Sequence, residues 1–245
     1  MSRVIVFSCQ VNQLGEDFFH RAKVCLSESE KVRFADCQKP ARQQQFLAGH
    51  FLLRKALSSL IPQPEAFWLI QQKSDEPPQL ASPVTIAGKN RQVYLSLSHT
   101  KDFVVCAISL DIEVGIDIEN SQKDRPFVEF SQQYLSQKEC DKLAEKSGDS
   151  QKQHFYRLWT VMESIGKAIG TGLDKPIFNG EWLQGYGADS GFFCFSTKLG
   201  TAQLSLALKG NASSGIEFYE LQADGRLIAQ ALEFEQSSFI VKERP

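Results

Sequence analysis

The sequence predicts an α+β fold, on three observations. Runs with strand periodicity are grouped together rather than alternating one-for-one with helices. Two longer stretches carry a helical apolar stripe, with Phe46, Leu53, Leu57 and Leu60 in one and Leu158, Met162, Ile165 and Ile169 in the other. A pattern of helix start followed by long helix occurs twice, about 110 residues apart, which suggests two related halves and not a solenoid. The expected architecture is two pseudo-symmetric halves, each a small, mostly antiparallel sheet with a packed long helix. The halves are taken as residues 1–110 and 111–233, followed by a poorly ordered tail at 234–245.

In chain order, Val4–Phe7 reads as an opening strand. Ser27 and Glu30 have the spacing of a capping box at a helix start. Residues 43–60 form a helix stopped by Pro62. Phe67–Ile70 reads as a strand, and the Pro- and Gly-rich stretch 73–90 as a loop that delivers Lys89. Residues 93–99 and 103–109 read as strands joined at a polar turn that carries Ser98 and His99. In Val114–Glu119 the alternation is strict: Val114, Ile116 and Ile118 on one face, Asp117 and Glu119 on the other. Ser136 and Glu139 repeat the earlier helix start. Residues 157–169 form the second long helix, with Gly170 and Gly172 as its stop. Residues 180–183, 191–196, 202–208 and 216–221 read as antiparallel strands separated by Gly, Asn and Ser turns.

Composition narrows the function classes. The 245 residues are 42% hydrophobic and 23% charged, with 27 Lys and Arg against 29 Asp and Glu. That is the profile of an ordinary globular chain without the basic field a nucleic-acid binder needs. The apolar run at the N-terminus is too short for a signal peptide and none is long enough to cross a bilayer, so a cytoplasmic protein without membrane or nucleic-acid partners is expected. The six cysteines contain no C-x-x-C pair and are expected as free thiols without a zinc site.

The chemistry concentrates in acids. Asp117 and Glu119 on one strand face, with Glu163 on the second long helix, form an oxygen set suited to Mg²⁺, which takes a few carboxylates and fills its remaining positions with water and phosphate oxygens. Lys167, one helical turn beyond Glu163, is placed to meet a phosphate. An isolated pair at this spacing is ordinarily a solvated surface pair. No Walker A loop or kinase motif set accompanies these residues.

Val114-Gly-Ile-Asp-Ile-Glu119, followed by Trp159-Thr-x-x-Glu-Ser-x-x-Lys-Ala-x-Gly-x-Gly-Leu173, resembles the 4′-phosphopantetheinyl transferase superfamily, in its longer Sfp type with two halves in one chain. Arg33, the segment Phe46–Arg54, Gly88-Lys89 and Ser96-Leu-Ser-His99 add to the resemblance, which covers roughly residues 26 to 175. It implies a monomeric, Mg²⁺-dependent enzyme. Such an enzyme moves the phosphopantetheine arm of coenzyme A onto a serine of an apo acyl or peptidyl carrier protein and releases adenosine 3′,5′-bisphosphate. By the same resemblance Asp117, Glu119 and Glu163 are the metal acids, Glu163 is also the base, and Lys167 serves the leaving phosphate. Arg33, Lys89, Ser98 and His99 hold coenzyme A, with Arg42 and Arg54 as weaker assignments. Two departures stand out: Met162 where the family usually has lysine, and Asn90 after Gly88-Lys89 where it usually has proline. A lost direct phosphate contact weakens coenzyme A binding by about 1.5–3 kcal/mol. The rival reading is a non-catalytic relative that binds coenzyme A or a nucleotide.

Overall fold

A computed structural model describes residues 3–73, 76–86, 88–132, 134–170, 182–183, 191–210 and 215–240. The strands are β1 (Val4–Gln10), β2 (Ile70–Gln71), β3 (Gln79–Leu80), β4 (Val84–Ile86), β5 (Lys89–Arg91), β6 (Val93–His99), β7 (Phe103–Leu110), β8 (Val114–Asn120), β9 (Trp182–Leu183), β10 (Gly191–Leu199), β11 (Ala202–Lys209), β12 (Ile216–Leu221), β13 (Leu227–Ala229) and β14 (Glu235–Ile240). The helices are α1 (Glu16–Val24), α2 (Glu28–Ala35), α3 (Pro40–Leu60), α4 (Phe127–Ser131), α5 (Gln137–Ala144) and α6 (Gly148–Ile169). Two five-stranded sheets dominate, ordered β13-β12-β1-β7-β6 and β8-β11-β10-β14-β9. The fold is α+β, as the sequence predicts.

Strand alternation builds four layers. Ile5, Phe7 and Cys9 of β1 and Val104, Cys106 and Ile108 of β7 face α3, where Phe51, Leu52, Leu53 and Leu57 complete one core. The alternate residues Val4, Val6, Val105 and Ala107 turn the other way and pack on Val114, Ile116, Ile118, Leu204 and Leu206 of the second sheet. The far face of that second sheet, with Cys194 and Ala207, takes Val161 and Ile165 of α6. The order is therefore α3, first sheet, second sheet, α6. Two strand faces buried on both sides account for the near-continuous apolar runs in β1, β7 and β11.

Several local expectations hold. Ser27 and Glu30 form the capping box of α2, and Ser136 caps α5. Gly170 ends α6 with φ 80°, a conformation glycine adopts without steric cost. Both long helices begin earlier than their apolar stripes suggested, α3 at Pro40 and α6 at Gly148. Their first turns are polar, and the apolar period is blind to them.

Other expectations are corrected. Residues 65–67 form a 3₁₀ turn and only Ile70–Gln71 a strand, in place of the expected Phe67–Ile70 strand. The stretch 73–90 is not a plain loop, since β3, β4 and the start of β5 lie in it. β12 pairs in parallel with β1 inside the first sheet, although its sequence position assigned it to the antiparallel C-terminal half. It covers the edge of β1 that β7 leaves open, placing Phe218 between the sheets and Leu221 in the core under α3. Residues 235–240, expected as tail, form β14 against β10 in register from Gly191↔Ile240 to Ser196↔Glu235. Of the expected strand at 180–183, only Trp182 and Leu183 are described, as β9. Gly172 and Leu173 lie outside the described residues.

Among the described residues no helix is long and apolar enough to cross a membrane. The six cysteines are free thiols, as expected, and Cys9, Cys106, Cys140 and Cys194 are buried.

Candidate functional site

The edge strand of each sheet, β6 and β8, meets the other at a seam. There two serines take the place of a backbone ladder: Ile116 N–H donates to Ser96 Oγ at 3.0 Å and Ile118 N–H to Ser98 Oγ at 3.3 Å. Because Ile116 and Ile118 point into the inter-sheet core, Asp117 and Glu119 point toward α6. Gly115 lets the helix come close enough, since a Cβ there would overlap the Ser164 carbonyl oxygen and sit 2.6 Å from the Ala168 nitrogen. Glu163 and Lys167, one turn apart on α6, thereby reach the acidic face of β8.

Asp117 is 5% exposed. Its Oδ1 accepts from Lys167 Nζ at 2.7 Å and from Ser98 Oγ at 2.7 Å, while its Oδ2 is buried with no hydrogen-bond partner among the described residues. Lys167 also donates to Ser98 Oγ at 3.0 Å. The Ser98 hydroxyl thus donates once and accepts twice, which exhausts its capacity. Glu163 has its carboxyl raised to about 7, by burial first and by Asp117 second. Burial and Asp117 likewise raise Glu119, and Arg125, 4.0 Å away, counters them. Asp117 thus raises both glutamates, and Glu119 adds to the rise at Glu163. Even so, no three His, Cys, Asp or Glu side chains among the described residues stand close enough to hold a metal ion as they are.

The predicted coenzyme A residues divide. His99, at the end of β6, receives Arg42 Nη1 at Nε2, and because arginine can only donate, that nitrogen is the acceptor. Burial, then Arg42 and Lys167, push His99 down to about 4, so it is neutral near pH 7. Arg42 is exposed at the start of α3 and thus joins the site through His99. Arg33 is partly buried, with Nη1 on Gln72 at 2.6 Å and its guanidinium over the Phe46 ring. Lys89 is exposed on the β4–β5 hairpin, in register with Ile86, and takes no part in the hydrogen bonds around Asp117.

The Arg54 assignment is corrected. It is wholly buried, and its guanidinium forks onto Glu30 at 2.8 and 2.6 Å. His50 Nδ1 also meets Glu30, at 2.6 Å. Burial alone would raise the Glu30 carboxyl, but the bonds from His50 and Arg54 outweigh it and hold it at about 2. Arg54 is a core counter-ion that ties α2 to α3 and has no path to a phosphate. The sequence shows His50 and Arg54 one turn apart on α3, but that this face meets Glu30 is decided by the packing of α2 on α3.

Met162, which the sequence places in the apolar stripe at a position where the resembled family usually has lysine, is 6% exposed and packs with Phe155, Tyr156, Trp159 and Leu143. It belongs to an apolar cluster in which an ammonium would lose its water. Two further residues are assigned no structural role by sequence alone. Ser96, named there only within the Ser96-Leu-Ser-His99 motif, proves to be a seam pin. Arg125 reads as linker and stands between Glu119 and the Phe130 ring.

A cavity of about 750 Å³ opens beside Lys167. Its walls are the segment Pro77–Val84, the first residues of β6, Val114 at the start of β8, and Ile169 and Gly170 at the end of α6. The cavity therefore lies where the two sheets meet, with an ammonium on its wall.

A model of the 4′-phosphopantetheinyl transferase superfamily matches residues 113–203, the segment from just before β8 into β11 that carries all three acids and Lys167. Among curated proteins, the 4′-phosphopantetheinyl transferase gsp of Aneurinibacillus migulanus is 29% identical over 173 residues, 70% of this chain and 67% of the relative. The 4′-phosphopantetheinyl transferase HetI of Nostoc sp. is 24% identical over 150 residues, 61% of this chain and 62% of the relative. The 4′-phosphopantetheinyl transferase Sfp of Bacillus subtilis is 35% identical over 85 residues, 34% of this chain and 36% of the relative. The chain thus spans from about a third to two thirds of the length of these relatives. The segment that carries the acid cluster is similar to the 4′-phosphopantetheinyl transferase superfamily.

Proposed function

We propose that this protein transfers the 4′-phosphopantetheine group of coenzyme A to a serine of an apo acyl or peptidyl carrier protein, releasing adenosine 3′,5′-bisphosphate. One observation carries the reading: a glutamate held at about 7 shares a field with a buried aspartate, and that aspartate is paired with a lysine which itself lines the cavity between the sheets. Glu163 is the acid of the set that keeps a proton near neutral pH while no cation is bound, which makes it the candidate base toward a serine hydroxyl. In the step, the serine oxygen bonds to the β-phosphorus of coenzyme A, the diphosphate P–O bond breaks, and the serine proton passes to Glu163. Lys167 balances the charge that accumulates on the departing phosphate. His99, neutral and backed by Arg42, together with Arg33, supplies donors for the remaining phosphate and ribose of the substrate.

Mg²⁺ fits the residues present. The unpartnered buried Oδ2 of Asp117 and the raised carboxyls of Glu119 and Glu163 are the marks of an acid set short of positive charge. Asp117, Glu119 and Glu163 would hold it, and when bound it would neutralise diphosphate charge. The carriers and coenzyme A that this reading requires place the enzyme in the cytoplasm. Because a single chain carries both sheets, a monomer is the proposed working unit.

The test is to incubate the protein with coenzyme A, Mg²⁺ and apo carriers from fatty acid, polyketide and peptide synthesis, and to weigh the carriers. A gain of one phosphopantetheine group on at least one carrier is expected, and no gain across the panel sinks the reading. Coenzyme A binding without any gain would instead select a non-catalytic relative.

A further inference from the structure

We propose that Lys167 is an exchangeable counter-ion of Asp117. It stands in for the metal cation while the site lacks coenzyme A and withdraws toward the diphosphate when coenzyme A arrives, so that cation and coenzyme A enter together. This rests on the coenzyme A reading above and names how that site is regulated.

Three features of the geometry lead there. Lys167 Nζ lies 2.7 Å from Asp117 Oδ1, on the one acid of the set that is nine-tenths buried. A second cation brought to that carboxylate would meet the ammonium at close range in a poorly solvated place, where like charges repel strongly. Second, Asp117 and Glu119 share one face of β8 opposite Glu163 on α6 but do not close into a ligand group among the described residues. The ammonium sits on the acid around which closure would occur. Third, Lys167 has somewhere to go. It is on the cavity wall, its side chain is 28% exposed, and among the described residues two of its three N–H donors are engaged. A lysine on a flexible four-carbon stem can follow a phosphate a few ångströms away without moving its helix. Its departure would also free one acceptor position on Ser98, so the seam loses no obligatory bond.

Linkage makes this measurable. If Lys167 suppresses cation binding until a diphosphate draws it off, its charge must weaken the affinity of the substrate-free protein for divalent ions. The experiment titrates Mn²⁺ into the full chain without coenzyme A, counting free ion by electron paramagnetic resonance, for the wild type, Lys167→Met and Lys167→Arg. Coenzyme A binding to the wild type is measured in parallel by calorimetry. Lys167→Met keeps the stem and removes the charge, and it should bind Mn²⁺ tighter by on the order of tenfold. Lys167→Arg keeps the charge and should stay within about twofold of the wild type. Unchanged or weaker Mn²⁺ binding in Lys167→Met overturns the exchange, as does tightening of the same size in Lys167→Arg, which would point to packing instead of charge. Failure of the wild type to bind coenzyme A removes the coenzyme A reading itself. Normal coenzyme A binding with flat Mn²⁺ affinities removes only this inference.

Discussion

At the scale of residues, the site is built against stability. Glu163 is kept near 7 by burial and by Asp117, so between about pH 4.5 and 7 the folded chain holds a proton that the unfolded chain has released. Stability from this group is present in acid and lost as pH rises through 7. In metal-free protein at pH 8, Glu163→Gln should therefore raise stability by about 1–2 kcal/mol, a figure reduced for partial exposure, and urea titration in a chelator would measure it. The same substitution should slow carrier modification by about a hundredfold or more, because the proposed base and metal-holding carboxylate is lost. A variant that lost activity and stability together would point to a structural role for Glu163. This residue-scale tension was legible early: Asp117 and Glu119 on one strand face and Glu163 on a helix are visible in the alternation and the helical period. What they do to one another depends on the distance between β8 and α6, which the sequence does not contain.

At the scale of elements, two contacts decide whether the helices reach their places. The α2–α3 clamp is Glu30 with His50 and Arg54. Glu30 is depressed to about 2, so its contribution is present above the unfolded value near 4.5 and disappears as pH falls toward 2. That is worth on the order of 3 kcal/mol. His50 is buried and lowered, so unfolding takes up a further proton below about pH 6.5 and stability falls in the same direction. Acid unfolding followed by circular dichroism should show this slope, and Glu30→Gln should flatten its lower part while lowering stability at pH 7. The second contact is Gly115 beneath α6. Gly115→Ala would drive a methyl into helix backbone, where nothing can rotate away, and should cost about 3 kcal/mol or more in denaturant titration. A neutral Gly115→Ala would mean that β8 and α6 do not touch as described. Helix starts at Ser27 and Ser136 were readable because a cap is a local bond. The clamp was not read, because it joins residues 20 and 24 positions apart.

At the scale of the whole molecule, the two sheets are held by a shared apolar layer and by the serine seam. The chain also returns late to finish each sheet: β12 covers the open edge of β1 in the first, and β14 covers β10 in the second. Removing residues 234–245 should uncover the β10 edge. We expect the melting temperature to fall by about 5 °C or more and the shortened chain to self-associate, checked by calorimetry and size-exclusion chromatography. An unaltered melting temperature would return this segment to the status of a tail.

The sequence by itself determined the fold class, the strands with clear period two, the two long helices, and which residue types carry chemistry, because each of these follows from local periodicity or from motif spacing. The superfamily model supports that last step over the segment bearing Asp117, Glu119, Glu163 and Lys167. Only the tertiary structure decided that Arg54 belongs to a buried clamp, that Met162 fills an aromatic cluster, that Ser98 spends its hydroxyl on the seam, and that Lys167 answers Asp117 and not its helical neighbour Glu163. The physical reason is common to all four. A charge or hydroxyl is claimed by whichever partner the fold brings within about 3 Å in a poorly solvated place, and that partner comes from a different element.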